Sequence, residues 1–297
     1  MAKPRILHFF TPFDNVSPFD VNMAADAGYD IIVPYTGVKP DGVTALVQDA
    51  IFSRPPKMYN NTGVFLGGWD VNQAADMFSK ASKAMVPPFE LSVFADPNGA
   101  YTTSAALVAL IEHHLNKRTG SGFAGRKVAV FGGGPVGLCA AVLVARQGGT
   151  PMLARLTHRK QDDAVTRFAE RYGVEIGSAE AQTPEAKLEV LKSVDVVIAA
   201  AKAGVQIIDQ AMLDKAGELQ VVADVNAVPP AGIEGVGNQD NGSELTTAGG
   251  KVAAIGALAV GKIKYDVQHG LFKRMLESGK PEQLDFPDAF QFATEQL

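Results

Sequence analysis

Lys127-Val-Ala-Val-Phe-Gly-Gly-Gly-Pro-Val-Gly137, continued by Leu138-Cys-Ala-Ala-Val-Leu-Val-Ala145, is the most informative stretch of this chain. The apolar run Val128–Phe131 reads as a buried strand. Gly132, Gly134 and Gly137 follow at the spacing G-x-G-x-x-G, and an Ala/Leu/Val-rich helix follows them. This strand–turn–helix context is what the dinucleotide fingerprint requires. In such a turn Gly132 permits the tight bend, Gly134 lets backbone approach a pyrophosphate, and Gly137 lets helix pack on strand. Pro135 and Val136 open the helix, whose N-terminus offers N–H groups and the positive end of its dipole to phosphates. The alternative is an ordinary glycine-rich turn between a strand and a helix.

Working outward, 297 residues suggest two domains, each large enough for its own core. A net charge of −5 argues against nucleic acid as a partner, because phosphate backbones call for a basic face. The one cysteine, Cys139, cannot form an internal disulfide and reads as a small core residue of the helix. No uninterrupted apolar run reaches about 18 residues, so no membrane span is expected. The N-terminus enters a strand-like run without a signal-peptide pattern, which predicts a cytoplasmic protein.

Before the glycine turn, strands are predicted at 5–10, 30–34, 62–66 and 91–95. Helices are predicted from Ser17 to Gly28 and over 43–52, 72–85 and 102–117. Ser17-Pro-Phe-Asp20 reads as a helix start, with Ser17 as N-cap, Pro18 in the first turn and Asp20 as a capping-box carboxylate. This alternation predicts a parallel α/β sheet. Thr119–Gly125 reads as a linker. Strands then recur at 128–131, 152–154, 174–176, 194–199 and 221–225, with helices at 164–172 and 185–191. Gly232–Gly250 reads as a long surface loop. Residues 253–260 lead into an amphipathic stretch, 265–276, and a last helix spans 288–296. The fold class is α/β: a Rossmann-type doubly wound parallel sheet plus a second α/β domain, with a cleft between them. The expected domains are 1–122 for substrate, 123–264 for NAD(P), and 265–297 as helices packing back on the first domain.

The second Rossmann strand ordinarily ends, about 20 residues past the first glycine, in an acid that grips the ribose 2′-hydroxyl of NAD. Here the corresponding segment carries Arg155, Thr157, His158, Arg159 and Lys160, and its first carboxylate is Asp162. Cationic forks and hydroxyls suit a 2′-phosphate, so NADP is favoured, with NAD also admissible because no acid has to be overcome. The competing reading is a solvated basic helix start.

Four polar stretches lie where apolar runs end: 17–20, 96–103, 224–230 and 256–265. In open α/β sheets that edge is where ligands bind. Each has a plainer reading. Asp20 can simply cap its helix, Thr102 and Thr103 can simply start one, Pro229-Pro230 can end a strand, and Lys264 can lie on the surface with its stem packed.

Together these stretches resemble the NAD(P)-dependent methylene-tetrahydromethanopterin dehydrogenases of one-carbon-oxidising bacteria. The resemblance runs along nearly the whole chain, through Ser17-Pro-Phe-Asp20, Asp96-Pro-Asn-Gly99 with Thr102-Thr103, Gly132–Gly137, Asp224-Val-Asn-Ala-Val-Pro-Pro-Ala-Gly-Ile233, and Gly256-Ala-Leu-Ala-Val-Gly261 with Lys264-Tyr265. It implies a pterin in the interdomain cleft, hydride transfer from methylene-tetrahydromethanopterin to NAD(P) in formaldehyde oxidation, and a homo-oligomer. The carbon between N5 and N10 loses hydride and becomes amidinium-like, so alignment and electrostatics suffice and no proton need move. That agrees with five histidines (8, 113, 114, 158, 269) forming no evident dyad or metal site; adjacent His113 and His114 point to different helix faces. Asp20 is then the catalytic candidate that stabilises the developing cation or holds the pterin. Lys264 orients the pterin ring, and Asn98, Thr102 and Thr103 contact it. Asn226 and Ala227 touch the nicotinamide end. No metal is expected. Related tetrahydrofolate enzymes that also hydrolyse the methenyl product carry Tyr-x-x-x-Lys on a first-domain helix. The helix after Ser17 has no lysine, which implies no efficient cyclohydrolase activity. Alternatives are a methylene-tetrahydrofolate dehydrogenase, another two-domain Rossmann dehydrogenase of a small hydroxy or amino acid, and a non-catalytic NADP-binding module.

Overall fold

A computed structural model describes residues 3–157 and 163–297. The chain forms two compact units, one made of the residues up to Thr102 together with Tyr265–Phe292, the other of Thr103–Lys264 with Ala293–Leu297. The division falls inside helices, upstream of the glycine-rich stretch 119–125.

The first unit runs β1 (Ile6–Phe10), α1 (Pro18–Asp26), β2 (Ile31–Tyr35), α2 (Pro40–Phe52), β3 (Thr62–Leu66), α3 (Val71–Lys83), β4 (Ser92–Ala95) and the start of α4 (Ala100–Thr119). Local chemistry sets the helix ends. The Ser17 hydroxyl accepts the Asp20 N–H at 3.4 Å with Pro18 in the first turn. Asp70 accepts the N–H groups of Asn72 and Gln73 at 2.8 and 3.0 Å, and Lys80 and Lys83 sit at the negative end of α3.

The second unit continues with β5 (Lys127–Phe131), α5 (Pro135–Arg146), β6 (Thr150–Arg155), α6 (Asp163–Arg171), β7 (Gly177–Glu180), α7 (Pro184–Lys192), β8 (Val196–Ala199), α8 (Gln210–Leu213), β9 (Val221–Asp224), β10 (Asn241–Thr247) and β11 (Gly250–Ile255). Helix α9 (Ala257–Glu277) then passes into the first unit, followed by β12 (Gln283–Leu284) and α10 (Phe286–Glu295).

The first sheet has the order β12-β4-β3-β1-β2, and every pairing is parallel. The second has the order β10-β11-β9-β8-β5-β6-β7, parallel except for β10 against β11. Read from β7 to β11, it is the 3-2-1-4-5-6 order of a dinucleotide-binding fold with β5 as first strand. Interior strands β3, β4, β8 and β9 are buried throughout, as a sheet covered on both faces demands.

Three stretches differ from the sequence reading. The expected loop 232–250 contains strand β10, joined to β11 by the two-residue turn Ala248-Gly249. β10 is a polar edge strand, so it lacks the apolar signal of an inner one. The third strand of the fold is Gly177–Glu180 rather than 174–176, again a largely exposed edge. The separate stretches 253–260 and 265–276 are the end of β11 and one 21-residue helix, α9.

Phe272 on α9 packs on Phe65, Phe94 and Tyr29 of the first unit, with ring centroids at 5.1, 5.2 and 6.2 Å. Phe272→Ala is expected to destabilise this unit by about 3–5 kcal/mol, read from its urea transition.

Candidate active site

At the end of β5 each glycine has a distinct geometry. Gly132 has φ +121°, and a Cβ there would lie 2.4 Å from the Ala200 carbonyl oxygen. A Cβ on Gly137 would lie 1.9 Å from the Gly132 carbonyl oxygen. A Cβ on Gly134 would meet nothing within 4 Å. Two glycines are therefore needed for closure of the turn itself, and the third faces open space. Gly134 is the N-cap of α5 and provides no side-chain cap, with Pro135 and Val136 in the first turn. The N–H groups there face an exposed surface at the positive end of a 12-residue helix. This cradle fits a dinucleotide pyrophosphate.

β6 ends at Arg155, whose Nη2 pairs with Glu180 Oε1 on β7. Thr157 is exposed, and its carbonyl accepts Gln182 Nε2 at 3.1 Å. The other predicted contacts here, His158 and Arg159, and neighbouring Lys160, lie outside the described residues.

β9 ends at Asp224, 2% exposed. Its carboxylate accepts N–H from Asn226 at 2.9 Å, Gly232 at 2.6 Å and Ile233 at 3.2 Å. Burial raises its pKa, against the pull of these three donors. The Asn226 side chain accepts from Gly204 and Val228 N–H at 3.1 and 2.9 Å and donates to the Pro230 carbonyl at 2.8 Å. Asn226 thus clamps its own loop, while Ala227 is exposed on it.

In the first unit, Asp20 is 4% exposed and its Oδ1 accepts Gln268 Nε2 at 2.7 Å, with Gln268 fully buried. Asp20 is thus tied to α9 as well as standing in the first turn of α1. Lys264 lies four residues before Gln268 on α9, the spacing that shares a helix face. Asp96 follows β4, is fully buried, and accepts Tyr101 and Thr102 N–H at 2.9 and 3.2 Å and the Thr102 hydroxyl at 2.6 Å. Thr102, fully buried, therefore builds the turn. Asn98, held left-handed at φ +50°, is exposed at its tip, and Thr103 is half-buried. A small depression in this unit is lined by Arg54, Thr62 and Leu91, at the amino ends of β3 and β4, and includes none of these residues.

Gln268 and Asp224 escaped the sequence reading as individual residues. Helical spacing from Lys264 was the available signal for Gln268. Among the described residues no cluster of three His, Cys, Asp or Glu could hold a metal. The His113 and His114 rings do meet, edge to face at 5.2 Å, and His114 Nε2 lies 2.8 Å from Asn241 Oδ1. No described helix is long and apolar enough to cross a membrane.

Asp224→Ala strands three N–H groups and is expected to cost about 2–3 kcal/mol in urea unfolding and to weaken dinucleotide binding by calorimetry. Val228→Ser, at an exposed neighbour, should stay within about 0.5 kcal/mol of wild type. The raised pKa sets the sign with pH: the titration-linked contribution of Asp224 is full below its ordinary 3.8 and is lost as pH rises through the folded value. Asp224→Asn should abolish that slope relative to wild type.

Residues 18–98 match the family model described as methylene-tetrahydromethanopterin dehydrogenase, N-terminal, a span that includes both Asp20 and Asn98. The NAD(P)-dependent methylenetetrahydromethanopterin dehydrogenase of Methylorubrum extorquens is 43% identical over 300 residues, covering 99% of each chain. The bifunctional protein MdtA of the same organism is 34% identical, covering 94% of each. Among solved structures, the NAD-dependent malic enzyme of Thermotoga maritima aligns at TM-score 0.57 and 12% identity, over 98% of this chain and 84% of that one. Ornithine carbamoyltransferase of Pyrococcus furiosus aligns at 0.54 and 10%, over 93% and 86%. Those two likenesses concern the fold, whereas agreement at 43% from end to end places this chain in the family of NAD(P)-dependent methylene-tetrahydromethanopterin dehydrogenases.

Proposed function

We propose that this chain oxidises methylene-tetrahydromethanopterin to the methenyl form and delivers the hydride to NAD(P), with NADP preferred. What carries the reading of the substrate is the full-length agreement with an NAD(P)-dependent methylenetetrahydromethanopterin dehydrogenase, and what supports the NADP preference is the basic segment after β6. Bound NAD(P) supplies a hydride acceptor, and Gly132–Gly137 would hold its pyrophosphate, with Ala227 at the nicotinamide end. Arg155 and Thr157, with His158 and Arg159, would take the 2′-phosphate.

The protein's own task is electrostatic. Loss of hydride leaves positive charge spread over N5, the carbon and N10. Asp20 is a carboxylate at the carboxyl edge of its sheet, buried and held by the Gln268 amide. In a low-dielectric setting such a fixed negative charge favours the cation over the neutral substrate. Lys264 would repel that cation, so its part is to orient the pterin through a carbonyl oxygen. Asn98 presents an amide for the same ring, with Asp96 and Thr102 fixing the turn behind it and Thr103 on the following helix. Helix α1 carries no lysine, and we propose that the methenyl product leaves without enzymatic hydrolysis.

Purified protein mixed with methylene-tetrahydromethanopterin should reduce NADP, followed by nicotinamide absorbance, and should do so far faster than with methylene-tetrahydrofolate. No reduction with either pterin would overturn the reading. Asp20→Asn should lower kcat by about 10²-fold with dinucleotide affinity kept, as for loss of a group aimed at transition-state charge. Equal loss of both would mark a damaged fold. Arg155→Met should raise KM for NADP by roughly tenfold and leave KM for NAD within about twofold, the loss expected when one charge-assisted contact goes.

A further inference from the structure

The chemistry at the end of β6 is unusual for a dinucleotide fold. The acid expected there is absent, yet an acid stands one strand away. Arg155 and Glu180 are register partners across the parallel pair β6–β7, and their side chains form an ion pair. The backbone tightens the same junction, since Ala181 N–H donates to the Arg155 carbonyl at 3.0 Å and Gln182 reaches the Thr157 carbonyl. The two partners differ in exposure, with 28% of the Arg155 side chain and 59% of the Glu180 side chain open to solvent. Arg155 Nε is buried and has no hydrogen-bond partner among the described residues. The guanidinium is therefore anchored in the sheet but keeps donor capacity unused, while the carboxylate that holds it is easily reached by water.

We propose that Glu180 is a specificity-determining residue, a built-in competitor for the 2′-phosphate: it holds the Arg155 guanidinium when that phosphate is absent and yields it when NADP arrives. The inference rests on Arg155 being the 2′-phosphate contact, as proposed above. Carboxylate and phosphate claim the same planar fork. A phosphate monoester near neutral pH carries between one and two negative charges and three acceptor oxygens, against one charge on the carboxylate, so it wins the exchange. The exchange still subtracts the Arg155–Glu180 attraction from NADP affinity. With NAD the pair stays closed, and no cation is left uncompensated opposite a plain ribose. Glu180 thereby narrows the gap between the two dinucleotides and lets one site take both.

Titration calorimetry with 2′,5′-ADP and 5′-AMP tests this apart from turnover, on wild type, Glu180→Gln, Arg155→Met and the double variant. An exposed pair contributes up to ~1 kcal/mol, so Glu180→Gln should tighten 2′,5′-ADP by about fivefold and leave 5′-AMP unchanged. The gain should shrink at high salt, which already screens the pair, and should vanish in the Arg155→Met background. An unchanged or weaker 2′,5′-ADP affinity in Glu180→Gln, with Arg155→Met having lost it, overturns the inference and leaves the Arg155 reading standing. Equal tightening in both backgrounds also overturns it, because Glu180 would then act by direct repulsion. If Arg155→Met binds 2′,5′-ADP as wild type does, the Arg155 reading fails and the inference falls with it.

Discussion

Gly137 sits so close to the Gly132 carbonyl that no side chain fits between helix α5 and the turn before it. That contact fixes where α5 begins. Its residues 137–144 are all buried, so the helix lies flat on the sheet and cannot shift to relieve the approach. Its N-terminus must then emerge directly at the carboxyl end of β5. Gly133 and Gly134 are left exposed beside N–H groups that no side chain caps. Donors suited to an anion arise here as a by-product of packing: backbone forced close on one side leaves N–H groups open on the other. The order of the remaining strands then sets which strand ends flank this turn: β6 and then β7 on one side, β8 and then β9 on the other.

Carboxylates at strand ends recur in both units, and their hydrogen bonds separate their uses. Asp224 directs both oxygens to backbone N–H groups that follow it, and Asp96 gives one oxygen to following backbone N–H groups and the other to the Thr102 hydroxyl. Each thereby shapes a turn, and exposed residues are presented on it, Asn98 in one case and Ala227 with its neighbour Val228 in the other. Asp20 is different, because its Oδ1 takes a side-chain amide 248 positions further along the chain. A carboxylate held by such a distant partner draws its orientation in part from how residues 265–277 of α9 pack within the first unit. Phe272, one turn beyond Gln268, docks it through Phe65 and Phe94. Aromatic packing thus maintains the orientation of the charge.

The sequence was legible where burial is strong. The run Val128–Phe131 and the glycines after it carry their own signal, as do β3 and β9, whose apolar residues have no other reason to cluster. It was illegible at the edges. β7 and β10 are held by backbone pairing on one side only, so their side chains are free to be polar, and Gly177-Ser-Ala-Glu180 shows no apolar run. Partnerships were illegible too. Asp20 reads both as a helix-start carboxylate after Ser17 and Pro18 and as the catalytic candidate, and nothing near it in the sequence shows that Gln268 is its partner. Arg155 showed its charge in the sequence, but Glu180 becomes its neighbour only through strand register. Tertiary pairing decides these roles, and a linear pattern does not record it.

A reaction that moves a hydride and no proton asks little of histidine, and three of the described histidines lie against neighbouring side chains. His8 Nδ1 meets the Tyr35 hydroxyl at 3.1 Å, His114 meets Asn241, and His269 stacks on Tyr265 at 6.3 Å. What such a reaction does ask for is negative charge that does not relax when the substrate turns cationic. Exposed carboxylates fail on that count, since water reorients around them and screens them. Burial with a fixed donor succeeds, at the cost of desolvation that the donor must offset. Asp20 at 4% exposure, with an amide itself fully buried, meets both conditions within one folded unit. The same low-dielectric setting that makes such a group expensive to fold is what makes its field effective, so the stability of the first unit and the proposed catalysis draw on one arrangement.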